Sequence, residues 1–195
     1  MAQAKAAKRK AAERFQLKVT LLGTRPPVWR RLIVPADATL DEVHWIIQVA
    51  MPWQNSHLHQ FHDTDRTTRY SDPEFELEEV EDESGVRVRQ VLREPKDRIT
   101  YEYDFGDSWE HLIQLEKILP PRDDGKRRAE CAGGKRAAPP DDVGGVWGYA
   151  DFVEAIQDPD HERHEELLEW IGGEFDPEAF DSAEVNRWLK KALRL

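Results

Sequence analysis

Residues 101–111, Tyr-Glu-Tyr-Asp-Phe-Gly-Asp-Ser-Trp-Glu-His, place a Gly-Asp pair between two strand-like runs, and this pattern predicts a tight β-hairpin. We expect a two-residue type II′ turn, with Gly106 at the positive φ and Asp107 after it. Residues directly opposite each other in a hairpin share a face of the sheet. This turn would gather acidic, aromatic and imidazole side chains on one face, namely Glu102, Asp104, Trp109 and His111.

Outward from the hairpin, apolar residues alternate with polar ones from Phe15 to Leu21, as in a half-buried strand. Thr39 and Glu42 form a capping box that opens a helix over 40–51. Further strands are predicted at 28–34, 58–62, 99–105 and 109–119, and further helices at 149–157, 161–171 and 183–195. This order predicts an α+β fold, a single domain with an antiparallel sheet, one early helix and a helical C-terminal third. The expected core includes Val19, Leu21, Trp29, Ile46, Ile47, Tyr103, Phe105, Ile113, Phe152 and Trp170.

The long connection from Leu119 to Gly148 contains four prolines, six glycines and no periodicity. Such connections are uncommon inside a compact domain unless they line a site or are disordered. Two prolines precede Asp141 and Asp142, and two glycines follow shortly after, which favours an acidic pair at the tip of a loop. We expect this pair to extend the polar face of the hairpin.

Length, composition and charge restrict the class of protein. A chain of 195 residues, with 39% hydrophobic residues and seven tryptophans, suffices for one domain with a compact core. The net charge of −11 argues against a protein whose whole surface follows nucleic acid. Apolar runs are far shorter than the roughly 20 residues that span a bilayer, and no secretory signal is visible. We therefore expect a cytoplasmic protein without a membrane partner.

The charge is concentrated in two places. Residues 1–14 are predicted to be a flexible basic tail ahead of a domain over 15–195. It is either a solvated tail or an arm that contacts DNA phosphates through Lys5, Lys8, Arg9, Lys10 and Arg14. The stretch from Glu74 to Glu83 has seven acids in ten residues, which indicates a solvated loop or edge, or else a cation-binding or DNA-mimicking surface.

Metal-ligand patterns are limited. His57 and His59 lie two apart on a predicted strand and can chelate a metal, although both rings can equally stack on tryptophan. Asp104 and His111 of the hairpin complete the set of candidate metal ligands. Clustered carboxylates need an offsetting partner, which would be a divalent ion, Arg30 or Arg31 from the second strand, or backbone donors.

Common catalytic signatures are absent from the sequence. It contains no GxGxxG, GxxxxGK[ST], HExxH or GxSxG motif, and the single cysteine, Cys131, has no context that marks a nucleophile. No cofactor is predicted apart from a divalent metal, and a binding role is favoured over an enzymatic one.

Four strings in this order make the chain resemble the plasmid pRiA4b ORF-3-like family, whose members are also labelled insertion-sequence passenger TnpR proteins. They are VWRRLIVP (28–35), LDEVHWIIQVAMPW (40–53), YEYDFGDSWEH (101–111) and CAGGKRAAPPDDVGGVWGY (131–149). The resemblance covers about residues 15–190. It implies an α+β domain of a bacterial or archaeal cytoplasmic protein associated with plasmids or transposons, and it implies no particular activity.

Three functions remain open. The first is a non-enzymatic binding or regulatory module that captures a small ligand or a protein at the hairpin and the PPDDVGG loop. The second is an accessory protein of a mobile element that touches DNA through its basic tail. The third is a metal-dependent hydrolase with Asp104, Asp107, Asp141 and Asp142 as oxygen ligands and a histidine as base.

Overall fold

A computed structural model describes residues 13–192. Within these residues the chain forms one sheet of eight strands in the order β5-β4-β3-β6-β7-β1-β2-β8, with five α-helices. All neighbouring strands are antiparallel except β4 and β5. The strands are β1 Arg14–Leu21, β2 Trp29–Pro35, β3 His59–His62, β4 Arg69–Ser71, β5 Glu81–Asp82, β6 Arg98–Tyr103, β7 Trp109–Leu119 and β8 Glu130–Lys135. The helices are α1 Leu40–Ala50, α2 Val88–Val91, α3 Gly145–Gln157, α4 His164–Ile171 and α5 Ser182–Ala192.

The centre of the sheet follows the predicted alternation. In β1, Phe15, Leu17, Val19 and Leu21 are buried, and the residues between them are partly exposed. This strand lies between β2 and β7, so its apolar side faces the middle of the core. The predicted α+β class is confirmed.

Helix α1 covers the core face of the sheet. It starts after Thr39, whose backbone N–H donates to the Glu42 carboxylate at 3.0 Å, as the capping box predicts. Its buried side includes Leu40, Val43 and Ile47. The spacing of three and four residues places these side chains on one face, which explains why the helix packs on the sheet.

Strand β2 buries Arg30 in place of Trp29, which was predicted to lie in the core. Arg30 is 2% exposed on the core side, whereas Trp29 is only half-buried and lies on the outer side under the Arg31 guanidinium. A strand of apolar and basic residues has no clear alternation, so the sequence does not decide which parity faces inward. Phe105 and Trp170 were also expected in the core but are 38% and 47% exposed. The other expected core residues are buried, namely Val19, Leu21, Ile46, Ile47, Tyr103, Ile113 and Phe152.

The long connection after β7 contains a strand that its sequence did not predict. Strand β8 pairs with the edge of β2, and Asn186 of α5 exchanges two hydrogen bonds of 2.8 and 2.9 Å with the Cys131 backbone. At Gly134 a Cβ atom would lie 2.6 Å from the Phe180 ring. Glycine is therefore required there because the C-terminal segment packs directly on the strand backbone.

The structure tests the predicted basic tail over 1–14 only at residues 13 and 14. Arg14 is the first residue of β1, and its side chain donates to the Pro120 carbonyl at 2.9 Å, so it belongs to the sheet and not to a tail. Lys5, Lys8, Arg9 and Lys10 lie outside the described residues, and DNA contact through them stays a prediction. Across residues 13–192, no helix combines the length and the apolar character needed to cross a bilayer.

Candidate functional site

The hairpin after β6 has a different register from the predicted one. Tyr103 pairs with Trp109, and Glu102 pairs with Glu110, so a loop of five residues replaces the two-residue turn. Asp104 organises this loop. Its carboxylate accepts the N–H groups of Gly106 at 2.9 Å and Asp107 at 3.3 Å, and its carbonyl accepts the Ser108 N–H at 2.6 Å.

The shift by one residue separates the predicted polar face into two. Trp109 and His111 lie on the core face and are fully buried, with the His111 Nδ1 hydrogen donated to the Trp109 carbonyl at 2.9 Å. Burial lowers the pKa of His111 to about 4. Glu102 lies on the other face, where its carboxylate accepts from Gln60 at 2.8 Å and Ser108 at 3.0 Å. The prediction that these residues share one face is wrong, because a one-residue slip moves every side chain to the opposite side.

The structure brings Asp104 together with the PPDDVGG loop at another histidine. The His57 Nε2 atom lies 3.2 Å from Asp142 Oδ1 and 3.6 Å from Asp104 Oδ2. One ligand atom from each of these three residues lies within 4.8 Å of the other two. We call His57, Asp104 and Asp142 the His-Asp cluster. It contains two of the four predicted metal ligands, and the others, His59 and His111, lie elsewhere.

Backbone contacts hold the PPDDVGG loop against the hairpin. The Asp107 carboxylate accepts the Gly144 N–H at 3.1 Å. This side chain therefore faces the loop backbone and holds it against the hairpin. At Gly145, where φ is +68°, a Cβ atom would lie 2.6 Å from the Asp107 carbonyl oxygen. Trp53 Nε1 donates to the Pro139 carbonyl at 2.8 Å on the other side of the loop. The glycine therefore permits the close approach that brings Asp142 to His57.

Asp141 lies beside the cluster in an unfavourable electrostatic position. Its carboxylate accepts the Gln54 N–H at 3.4 Å through Oδ2, while its buried Oδ1 has no hydrogen-bond partner within residues 13–192. Burial raises the pKa of Asp141, and the carboxylates of Asp142 and Asp104 raise it further, against the opposing effects of the Gln54 hydrogen bond and His57. Backbone donors thus partly compensate Asp104, as the sequence allowed, whereas one long hydrogen bond leaves Asp141 poorly compensated.

The two arginines expected to supply that compensation have other partners. Arg30 donates to the carbonyls of Ala50, Trp29 and Lys135 at 2.9 to 3.1 Å. Burial lowers the pKa of its guanidinium to about 10. Arg31 lies on the outer face and forms a two-pronged pair with Glu116 at 2.6 and 2.9 Å. Neither arginine therefore offsets the carboxylates of the His-Asp cluster.

A groove of about 710 Å³ begins at the PPDDVGG loop and is bounded by the C-terminal helices. Asp141 and Asp142 line one part of it, so the groove shares Asp142 with the His-Asp cluster. Its aromatic side chains are Trp53, Trp170, Phe175, Phe180 and Trp188. A concave surface that combines aromatic walls with a few polar groups is typical of ligand sites.

His59 belongs to a second site, which the sequence analysis missed. Its ring stacks on that of His44 with 3.6 Å between centroids, and its Nε2 atom lies 2.9 Å from the Glu83 carboxylate. His44 follows Leu40 by four residues on the buried face of α1, and this spacing is a signal that could have identified it. No comparable signal distinguishes Glu83 from the other acids of its run.

Comparisons with known proteins agree with the fold. A crystal structure of a protein of unknown function, MM3350 from Methanosarcina mazei Go1, superimposes with a TM-score of 0.80 at 35% identity, covering 90% of this chain and 98% of that one. The chain is also similar to uncharacterized protein y4hQ of Sinorhizobium fredii, with 38% identity over 189 residues, which are 92% of this chain and 96% of that protein.

The family comparison covers nearly all of the domain. The model of the plasmid pRiA4b ORF-3-like protein family matches residues 13–184, from the start of β1 into α5. This range includes the hairpin, the PPDDVGG loop and both sites described above. The chain therefore belongs to the plasmid pRiA4b ORF-3-like family.

Proposed function

We propose that this protein is a binding module that takes up a divalent metal ion at the His-Asp cluster. The observation that carries the proposal is the position of His57 Nε2, 3.2 Å and 3.6 Å from oxygens of Asp142 and Asp104. In a tetrahedral site with bonds of about 2.0–2.2 Å, neighbouring ligand atoms lie roughly 3.3–3.6 Å apart. The two distances from His57 thus match two edges of one face of such a site, and the two carboxylate oxygens lie within 4.8 Å of each other.

The charge balance supports a bound cation. Asp104, Asp141 and Asp142 bring three carboxylates to one place, and both arginines considered as partners are engaged elsewhere. A divalent ion would offset the mutual repulsion of these groups and lower the pKa of Asp141. A protonated His57 would supply a single positive charge, which is a weaker compensation.

The ligand set favours a particular metal. One imidazole nitrogen with two carboxylate oxygens suits zinc and other first-row transition ions better than magnesium or calcium, which prefer oxygen ligands alone. Asp142 is largely exposed, with 71% of its side-chain surface accessible, so the ion would have open coordination positions on the solvent side. We infer that a small organic ligand binds the ion there and lays its apolar part along the aromatic groove.

Calorimetric titration of the full chain with zinc, manganese, magnesium and calcium chlorides tests the proposal. One equivalent of zinc should bind most tightly, with an affinity reduced at least tenfold by His57→Ala, Asp104→Asn or Asp142→Asn. His161→Ala and Asp160→Asn remove the same groups in the connection before α4 and should bind zinc normally. Equal zinc binding by all five variants, or none by the wild type, would overturn the metal site.

The alternative function, a metal-dependent hydrolase, would use the same ion. Turnover of a phosphodiester substrate distinguishes it from a binding module. Wild-type protein loaded with zinc or manganese is incubated with bis(p-nitrophenyl) phosphate. Release of nitrophenol that disappears with Asp104→Asn would identify an enzyme, and stoichiometric metal binding without turnover of this substrate supports the binding module.

A further inference from the structure

A second cavity, of about 500 Å³, lies between α1 and the acidic segment that follows β4. Its walls include His44 and Asp41 from α1, His59 from β3, and Glu83. His44, His59 and Glu83 are each at most 3% exposed. Their polar groups are therefore held by the fold and do not belong to a mobile surface.

Four buried polar atoms in the walls of this cavity have no hydrogen-bond partner within the described part of the chain. They are Asp41 Oδ1, His44 Nε2, Asn55 Oδ1 and His59 Nδ1. Buried polar groups without partners are uncommon in native proteins and each costs about 1–3 kcal/mol. Four of them around one volume mark it as a place where a hydrogen-bonding ligand would find partners.

The hydrogen positions follow from the surrounding contacts. The Gln48 oxygen accepts the Asn55 N–H at 3.1 Å, so the Gln48 amide nitrogen donates to the Tyr101 hydroxyl at 3.0 Å. Tyr101 then donates its own hydrogen to His44 Nδ1 at 2.8 Å, which leaves the His44 hydrogen on Nε2. Asn55 Oδ1 lies beside the His44 ring without reaching hydrogen-bond geometry.

The His59 ring is held at its Nε2 atom by Glu83. Its Nε2 atom lies 2.9 and 3.2 Å from the two Glu83 oxygens and so donates to that carboxylate. Its Nδ1 atom is buried at the cavity and has no partner among residues 13–192. The cavity thus offers oxygen acceptors on Asp41 and Asn55, and its one assigned donor, on His44, lies next to the Asn55 oxygen. A ligand that matches it must mainly donate hydrogen bonds.

The charges around the cavity also favour a ligand that donates hydrogen bonds. Its lining carries five carboxylates and, among residues 13–192, no lysine or arginine. The five are Asp41, Asp72, Glu74, Asp82 and Glu83. Trp45 and Phe75 add aromatic faces, which attract organic cations. Burial lowers the pKa of His44 to about 3, with a further decrease from His59 against a small opposing effect of Asn55, so the stacked imidazoles do not add two positive charges.

We propose that this cavity binds a small organic cation with several N–H donors, that is, an amine or guanidinium compound. The cation would donate to Asp41 and Asn55 and neutralise part of the acidic lining. A volume of about 500 Å³ lies within the range of small-molecule sites. The proposal assigns a role to the acidic run from Glu74 to Glu83, which supplies three of the five carboxylates and does not enter the His-Asp cluster.

The test is calorimetric titration of the full chain with agmatine, putrescine and spermidine at about 0.15 M salt, where diffuse attraction between exposed charges is largely screened. At least one of these amines should bind with a stoichiometry of one, and 1,4-butanediol, the neutral analogue of putrescine, should not bind. Asp41→Asn and Glu83→Gln should each reduce the affinity at least tenfold. Glu79→Gln is the matched control, because it removes one charge from the same acidic run at an exposed position outside the cavity.

Two outcomes would overturn the proposal. One is the absence of saturable binding by all three amines. The other is an equal loss of affinity in Glu79→Gln and Asp41→Asn, which would show diffuse attraction to the acidic run. Asp41→Asn is nearly isosteric on the half-buried first turn of α1, so it remains informative if Glu83→Gln fails to fold. Amine binding should persist in EDTA and in Asp142→Asn, which separates this proposal from the metal site.

Discussion

Replacement of Gly145 by alanine tests the contact that holds the PPDDVGG loop on the hairpin. The new Cβ atom would lie 2.6 Å from the Asp107 carbonyl oxygen, on a backbone with φ of +68°. The matched control is Gly125→Ala, because Gly125 has a nearly equal φ of +64° and no atom within 4 Å of its Cβ position. The two variants share the cost of left-handed alanine and differ only in the contact.

The expected losses in the free energy of unfolding follow from the cost of the left-handed backbone and the cost of the close contact. Left-handed alanine costs about 1–2 kcal/mol, so Gly125→Ala should lower the free energy of unfolding by that amount. An inserted methyl group in a packed position costs about 1–3 kcal/mol more, so Gly145→Ala should lower it by roughly 2–5 kcal/mol. Urea denaturation with unchanged m values measures both.

The same pair of variants also tests how the His-Asp cluster is assembled. Displacement of Asp107 by the new methyl group should move Asp142 away from His57, so Gly145→Ala should weaken zinc binding at least tenfold. Gly125→Ala should leave zinc affinity unchanged. Equal stability of the two variants would refute the argument that the contact between Gly145 and Asp107 positions the loop.

Two further predictions concern buried basic residues. The pKa values of His44 and His111 are about 3 and about 4, below the unfolded value of 6.5, so the unfolded chain binds more protons as pH falls below 6.5. Going from pH 7 to pH 5 should therefore cost about 2 kcal/mol for each ring, and a free energy of unfolding that stays constant over this range would contradict the burial argument. Arg30→Met should cost about 2–4 kcal/mol because three carbonyls lose their donor, whereas Arg31→Met on the outer face should cost less than about 1 kcal/mol. Chemical denaturation of both variants decides this, and equal losses would contradict the burial of Arg30.

Local periodicity predicted the parts of the fold that depend on it. The alternation from Phe15 to Leu21 and the capping box at Thr39 each determine a strand or a helix within about ten residues of chain, and both agree with the structure. The parity of β2 and the existence of β8 depend on partners far along the chain. Gly134 illustrates this, because its requirement for glycine comes from Phe180, which no local pattern reveals.

The candidate site was predicted only in part for a related reason. The Gly-Asp pair suggested a two-residue turn, but the carboxylate of Asp104 accepts two backbone N–H groups and extends the loop. Side-chain to backbone hydrogen bonds of this kind compete with the turn preferences of a dipeptide. The approach of Asp142 to the hairpin was expected from the prolines and glycines of its loop. Its partner His57 was a candidate metal ligand with His59, Asp104 and His111, but no pattern in the sequence placed it beside Asp142.

Residues 53–57, between α1 and β3, connect the two proposed sites. Two backbone N–H groups of this segment donate to side chains of other elements, from Asn55 to Gln48 of α1 and from Ser56 to Tyr103 of β6. His57 belongs to the His-Asp cluster, while the Asn55 side chain lines the proposed amine cavity. A substitution that shifts this segment should therefore weaken both kinds of binding, whereas Asp142→Asn and Asp41→Asn should each affect only one. Two cations bound two residues apart along the chain would also repel each other unless the carboxylates around them neutralise both, and the acidic composition of the loop and of the acidic run provides that neutralisation.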